Sequence, residues 1–121
     1  MHGVIALVDD VFFQAKMLET ARQVGVELKT VSSGDALVAA VSGSAAQDSP
    51  ALVIVDLNAR QGPLEALEKL CAAGNQPPVI AFLSHVQAEL AERARAAGCQ
   101  QVLPRSKFTQ NLAAILSQAK G

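Results

Sequence analysis

The chain has 121 residues, half of them apolar, a formal charge of −1, four Phe and neither Trp nor Tyr. That length suits one domain spanning residues 1–121 around one core. The near-neutral charge carries no footprint for nucleic acid or anionic lipid, and so few aromatics exclude a base-stacking platform. No apolar run is long enough to span a bilayer and no secretory signal opens the chain, so a cytoplasmic location is expected. Cys71 and Cys99 lie in Ala-rich, helix-like surroundings without zinc-like spacing, and are expected to be reduced thiols acting as small core residues.

Strand-like and helix-like segments alternate along the chain. Residues 3–8 form a short apolar run that ends at Asp9-Asp10. Residues 12–24 carry Phe12, Ala15, Leu18, Ala21 and Val24 at helical spacing, and Gly25 can close that helix. Residues 26–31 alternate with period two, the pattern of a half-buried edge strand. Ser32-Ser33-Gly34-Asp35 carries a capping-box pattern and opens a helix to about Val41. A small, polar loop over 42–50 precedes Leu52-Val53-Ile54-Val55, which stops at Asp56. Gly62-Pro63 starts a helix that Gly74 ends. Residues 79–83 form a fourth strand, Val86 to Ala97 an Ala-rich helix closed by Gly98, residues 101–103 a fifth strand, and Phe108 to Ala119 the last helix.

Short continuous runs rich in Val and Ile are buried on both faces, hence parallel and covered by helices. Five strand–helix repeats therefore predict an α/β fold, a parallel sheet with helices on both sides joined by right-handed crossovers. Ligands of such sheets bind beyond the carboxyl ends of the strands. If the first and third strands are neighbours, Asp9, Asp10 and Asp56 meet on that edge. Two carboxylates about 5 Å apart repel by roughly 3 kcal/mol at an effective dielectric near 20. A divalent cation relieves that repulsion.

With the acidic pair after strand one, a lone Asp in Val53-Ile54-Val55-Asp56-Leu57-Asn58, Ser84 after strand four and the segment Gly98-Cys99-Gln100-Gln101-Val102-Leu103-Pro104 leading to a basic residue, the chain resembles the receiver domains of bacterial two-component response regulators. The resemblance covers nearly the whole chain. It implies a flavodoxin-like three-layer sandwich with five parallel strands in the order 2-1-3-4-5. It further implies that Asp56 is the phosphoacceptor, and that Asp9, Asp10, Asp56 and the backbone carbonyl of Asn58 hold Mg²⁺. Ser84 and Arg105 would contact the phosphoryl group. The partners so implied are a histidine kinase or phosphotransfer protein and a downstream protein target, with a homodimer compatible with the fold. Such a domain is not an enzyme beyond its own phosphorylation and dephosphorylation. No DNA-binding module follows residue 121 in this sequence, so output is expected through protein contacts.

Four features depart from the receiver pattern. Arg105 and Ser106 stand where receivers carry Lys-Pro; the rigid guanidinium fork is not an ammonium point charge. Lys107 would point the same way as Arg105 if the segment stayed extended. Ser106 also removes a proline at which a cis bond is cheap, whereas a non-proline cis bond costs about 3 kcal/mol. The loop Leu57-Asn58-Ala59-Arg60-Gln61-Gly62 is shorter than in receivers, and Arg60 or Arg105 could neutralise the acidic cluster in place of a metal. Val102 replaces the aromatic switch residue of strand five.

Plainer roles exist for most of these residues. Asp9 and Asp10 can cap the first helix, and Ser84 the fourth. His85 has no nucleophile paired with it in sequence and is expected to be a loop residue or second cap, and His2 is terminal. Of Phe12 and Phe13, core packing is the default for both, with an exposed Phe13 a partner contact. Two other readings remain: a pseudo-receiver that keeps the fold as a phosphorylation-independent interaction or dimerisation module, and an unrelated phosphohydrolase with an Asp-x-Asp motif. Asp56-Leu57-Asn58 matches that motif poorly, and neither a Walker pattern nor GxGxxG is present.

Overall fold

The computed structural model describes residues 3–42, 50–72, 77–84 and 88–119. Its elements run β1 (Val4–Leu7), α1 (Val11–Val24), β2 (Leu28–Val31), α2 (Gly34–Ser42), β3 (Leu52–Asp56), α3 (Pro63–Ala72), β4 (Val79–Leu83), α4 (Ala88–Ala97), β5 (Gln101–Pro104), α5 (Arg105–Gln110) and α6 (Leu112–Gln118). The five strands pair in parallel in the order β2-β1-β3-β4-β5, as the alternating pattern and the receiver resemblance predict. The expected loop over 42–50 and the helix end at Gly74 fall almost entirely outside the described residues, as do His2, His85 and Val86.

Period-two alternation sorts each strand into the two cores. Val4, Ala6, Val8, Leu52, Ile54, Ile80 and Phe82 pack with α1, α5 and α6. Ile5, Leu7, Val53, Val55, Val79, Ala81 and Leu83 pack with α2, α3 and α4. The three central strands are buried on both faces, while β2 and β5 are the half-exposed edges. On the first face Phe13, Phe82 and Phe108 form one aromatic cluster, with Phe82 and Phe108 stacked at 4.4 Å and Phe13 edge-on to Phe82 at 5.3 Å. Val102 belongs to the other face, and the residue of strand five that packs against this core is Leu103, opposite Phe82.

Two features differ from the sequence reading, the buried face of α1 and the start of the last helix, while α2 opens where expected. The buried stripe of α1 is Phe13, Met17 and Ala21, whereas Phe12 is 89% exposed and Leu18 43%. The Asp10 carboxylate accepts hydrogen bonds from the Phe12 and Phe13 amides at the helix start, and Phe13 packs against Phe82 and Phe108. Only Ala21 is common to the two stripes. Next, the C-terminal helix starts at Arg105, three residues early, and is interrupted at Asn111, whose side-chain amide donates to the Lys107 carbonyl at 3.0 Å. Lys107 therefore sits on a helix two positions from Arg105, and the two side chains do not point the same way. Lastly, α2 is capped by Ser33 Oγ, which accepts from the Ala36 amide at 3.1 Å.

Gly25 closes α1 in the left-handed conformation, φ 78°. Gly34 has a different job. Its amide donates to the Gln61 carbonyl at 2.7 Å, and a Cβ on it would lie 2.3 Å from the Gly62 carbonyl oxygen. The start of α2 is thereby clasped to the loop after Asp56. Cys71 and Cys99 are free thiols, half-buried, and burial pushes the Cys99 thiol up to about 12.

Gly→Ala inside a helix ordinarily stabilises by up to about 1 kcal/mol. Gly34→Ala is expected to do the reverse, lowering stability by about 1–3 kcal/mol because backbone must shift to admit the methyl group. Urea denaturation of the two proteins checks the sign.

Candidate functional site

The carboxyl edge of the sheet is built by register. Leu7 pairs with Val55, so the chain leaves β1 beside the place where β3 ends at Asp56. Asp56 is opposite Phe82, and Leu83 is opposite Pro104, which brings Ser84 and Arg105 to the same edge. Thus Asp9, Asp10, Asp56, Asn58, Ser84 and Arg105 sit at the ends of four adjacent strands.

Asp56 is 3% exposed and is the only buried charged or polar residue among those described. Its Oδ1 accepts from the Asn58 amide at 2.9 Å. Burial raises its carboxyl above the usual range; the Asn58 amide and the Arg105 charge pull it down, while Asp9 and Asp10 push it further up. The strand register brings Asp9, Asp10 and Arg105 to the same edge, near enough for their charges to act on the Asp56 carboxyl. Nothing in the packing of the sheet calls for a buried carboxylate there.

Asp10 is held on both oxygens. Oδ1 caps α1, and Oδ2 accepts from Arg105 Nη2 at 2.9 Å. The Arg105 hydrogen bond, followed by the Phe13 amide, lowers the Asp10 carboxyl below its ordinary value. The Arg105 guanidinium also lies over the Phe13 ring, its Cζ 4.3 Å from the centroid. Capping and cluster membership are therefore joint roles of Asp10.

Asp9 Oδ2 accepts from the backbone amide of Arg60 at 2.9 Å. The Arg60 side chain is exposed and makes no ion pair among the described residues, so Arg105 is the arginine that neutralises the cluster. The loop carrying Arg60 is tied along its length: Leu57 N donates to Phe82 O at 2.9 Å, Ala59 N to Asp56 O at 3.0 Å, and Gln61 O accepts from Gly34. The Asn58 side-chain oxygen accepts from the Ser84 amide, which joins the loops after β3 and β4. Sequence reasoning assigned Asn58 only a carbonyl role; the side-chain link has no local signal, because it spans 26 positions. Ser84 itself is exposed.

Mg²⁺ takes hard oxygen ligands and keeps several waters. Asp9, Asp10, Asp56 and the Asn58 carbonyl are donors of that kind. Burial raises the Asp56 carboxyl first and Asp9 and Asp10 add to it, and a cation would relieve both effects, so the residues fit the ion chemically. Their present disposition is that of a site already holding a guanidinium: among the described residues no three acidic, His or Cys side chains are placed to hold a metal. A separate cleft of about 640 Å³, lined by Ser33, Asp35, Arg60, Gln61, Glu65 and Lys69 among others, includes none of Asp9, Asp10, Asp56, Ser84 or Arg105.

No family model matches the chain, and no curated protein matches it either. Solved structures do match. The phosphorylated cyanobacterial phytochrome response regulator RcpA aligns over 98% of this chain and 91% of its own, at 19% identity and a TM-score of 0.75. The receiver domain of NtrX from Brucella abortus aligns over 96% of both chains, at 20% identity and a TM-score of 0.78. The Mn²⁺-bound form of response regulator Rcp1 aligns over 98% of this chain and 91% of its own, at 13% identity and a TM-score of 0.76. The fold is that of response-regulator receiver domains. No helix among the described residues is long and apolar enough to cross a membrane.

The raised Asp56 carboxyl has a stability consequence. Its folded pKa lies above the unfolded value of about 3.9, so the charged form costs folding free energy, fully at neutral pH and not at all below the unfolded value. Asp56→Asn is expected to raise Tm at pH 7 in chelator-containing buffer. That advantage should shrink as pH falls toward about 4. Thermal melts across that range check it; an advantage that grows on acidification contradicts the assignment.

Proposed function

We propose that the chain is a receiver-type signalling domain that accepts a phosphoryl group on Asp56 from a phosphorylated histidine of a kinase or phosphotransfer protein. The observation that carries this reading is the solitary buried carboxylate of Asp56, set among Asp9, Asp10 and Arg105 at the carboxyl edge of a receiver fold. The domain spans residues 1–121, works in the cytoplasm and signals through protein contacts.

The chemistry follows from the atoms at that edge. The Asp56 oxygen not held by Asn58 attacks phosphorus; a P–O bond forms and the P–N bond to the imidazole breaks. Its electron pair stays on the ring nitrogen, which takes a proton from solvent, and a mixed anhydride remains on Asp56. The reaction needs positioning and neutralisation of the transferring oxygens more than any other group. The Asn58 amide orients the nucleophile. Arg105, within electrostatic reach of Asp56, offers fixed donors to the incoming oxygens. Ser84, tethered by Asn58, supplies a hydroxyl donor from the next strand. Asp9, Asp10, Asp56 and the Asn58 carbonyl would hold Mg²⁺, which when bound neutralises charge on the transferring oxygens.

Output through protein contacts is supported by Val11 and Phe12, 70% and 89% exposed at the start of α1, next to the acidic pair. Exposed apolar groups adjoining a site favour a partner surface. A phosphorylation-independent interaction module is the second reading, favoured by one observation: Asp10 is already paired with Arg105.

Acetyl phosphate with Mg²⁺ distinguishes the two. Intact-mass spectrometry is expected to find one added phosphoryl group, mapped to Asp56 and lost in Asp56→Asn. Asp10→Asn should slow its appearance, and an unmodified wild-type protein favours the interaction module.

A further inference from the structure

Arg105 is held from three directions. Its Nη2 is 2.9 Å from Asp10 Oδ2, its guanidinium carbon is 4.3 Å from the centroid of the Phe13 ring, and its backbone begins α5 directly after Pro104. Phe13 is in turn fixed against Phe82 and Phe108, so the ring under the guanidinium cannot easily retreat. Asp10 has no spare oxygen: the other one caps α1 through the Phe12 and Phe13 amides. The carboxylate oxygen that a cation would use is the one already bonded to the guanidinium.

We infer that Arg105 is the resident counter-cation of the acidic edge, and that a divalent cation binds there only by displacing Arg105 from Asp10. The inference rests on the assignment of Asp9, Asp10 and Asp56 as metal ligands. Two cations cannot share Asp10 Oδ2 without repelling each other at close range. The pair is also more than a free surface contact, because a planar fork stacked on a fixed ring loses little on forming its hydrogen bond. The side chains are only 30% and 38% exposed, so solvent screening weakens the pair without removing it. Metal affinity is thus set by how readily Arg105 lets go. A lysine in that place would lack the fork and stack on the ring differently.

The test is a Mg²⁺ titration followed by amide NMR of the whole chain, comparing the wild type with Arg105→Gln and Lys107→Gln. Lys107 is exposed in the same helix and has no ion pair among the described residues, so its variant reports the effect of charge alone. Arg105→Gln is expected to bind Mg²⁺ several-fold more tightly, while Lys107→Gln shifts affinity by less than about twofold, as for a screened surface charge. In the wild type the Arg105 Nε–H resonance should move as Mg²⁺ saturates residues 9, 10 and 56–59. Arg105→Lys, which keeps the charge, should fall between wild type and Arg105→Gln, and serves should the glutamine variant fail to fold. Equal effects of the two glutamine variants, an unchanged or weaker affinity in Arg105→Gln, or a motionless Arg105 resonance at saturation overturns the inference and leaves the ligand assignment standing. Absence of Mg²⁺ binding in every protein overturns both, whereas acetyl phosphate labelling of Asp56 decides the phosphoacceptor reading separately.

Discussion

The pairing of β1 with β3 is the constraint on which the rest of the molecule turns. Leu7 lies opposite Val55, and so the residues that follow each strand emerge side by side on one edge. A slip of one residue would exchange the faces of β3, sending Val53 and Val55 into the core built by Val4 and Ala6. Burial on both faces makes such a slip costly, since every residue of both strands is in a packed interior. The apolar packing of the sheet therefore fixes the relation between Asp9, Asp10 and Asp56. None of the three has to contribute to stability for that relation to hold, and burial makes the Asp56 charge a cost.

That cost is limited by arrangement. A buried carboxylate is tolerated when hydrogen bonds and opposite charge compensate it. The Asn58 amide and the Arg105 guanidinium supply both, the former through a tight turn and the latter from the end of β5 on the same edge. Arg105 also binds Asp10, and through its ring contact it reaches the Phe13–Phe82–Phe108 cluster. One side chain thus connects the charged edge to the interior that α1, β4 and α5 share. Val102 lies on the opposite face, so this link between edge and core does not involve its side chain.

Much of this was legible in the residues. The central strands were, because continuous apolar runs rich in Val and Ile leave no competing pattern, and the acidic edge followed once the strand order was granted. The helix phase of α1 was not: Phe12 and Phe13 are adjacent and equally apolar, and what separates them is tertiary packing, Phe13 against Phe82 and Phe108 and Phe12 in solvent. The start of the last helix was missed because Pro104 reads as a break, whereas here it is the extended residue from which Arg105 turns into α5. Arg60 and Arg105 were equal candidates for neutralising the cluster by charge alone. Geometry separates them: Arg60 gives its backbone amide to Asp9, and Arg105 gives its guanidinium to Asp10. Long-range choices of that kind, like the Asn58–Ser84 link, have no local pattern to betray them.

The stretch from Leu57 to Gly62 has no slack. The amides of Leu57 to Arg60 donate to Phe82, Asp56 and Asp9, and its far end is gripped by Gly34 and leads straight into α3. A chain so fastened acts as a ruler, setting how far α2 and α3 stand from the acidic edge. One inserted residue is expected to strain first the hydrogen bond by which Gln61 holds Gly34 at the start of α2. The length of this connection and the seating of α2 are thereby tied to each other through a single backbone contact.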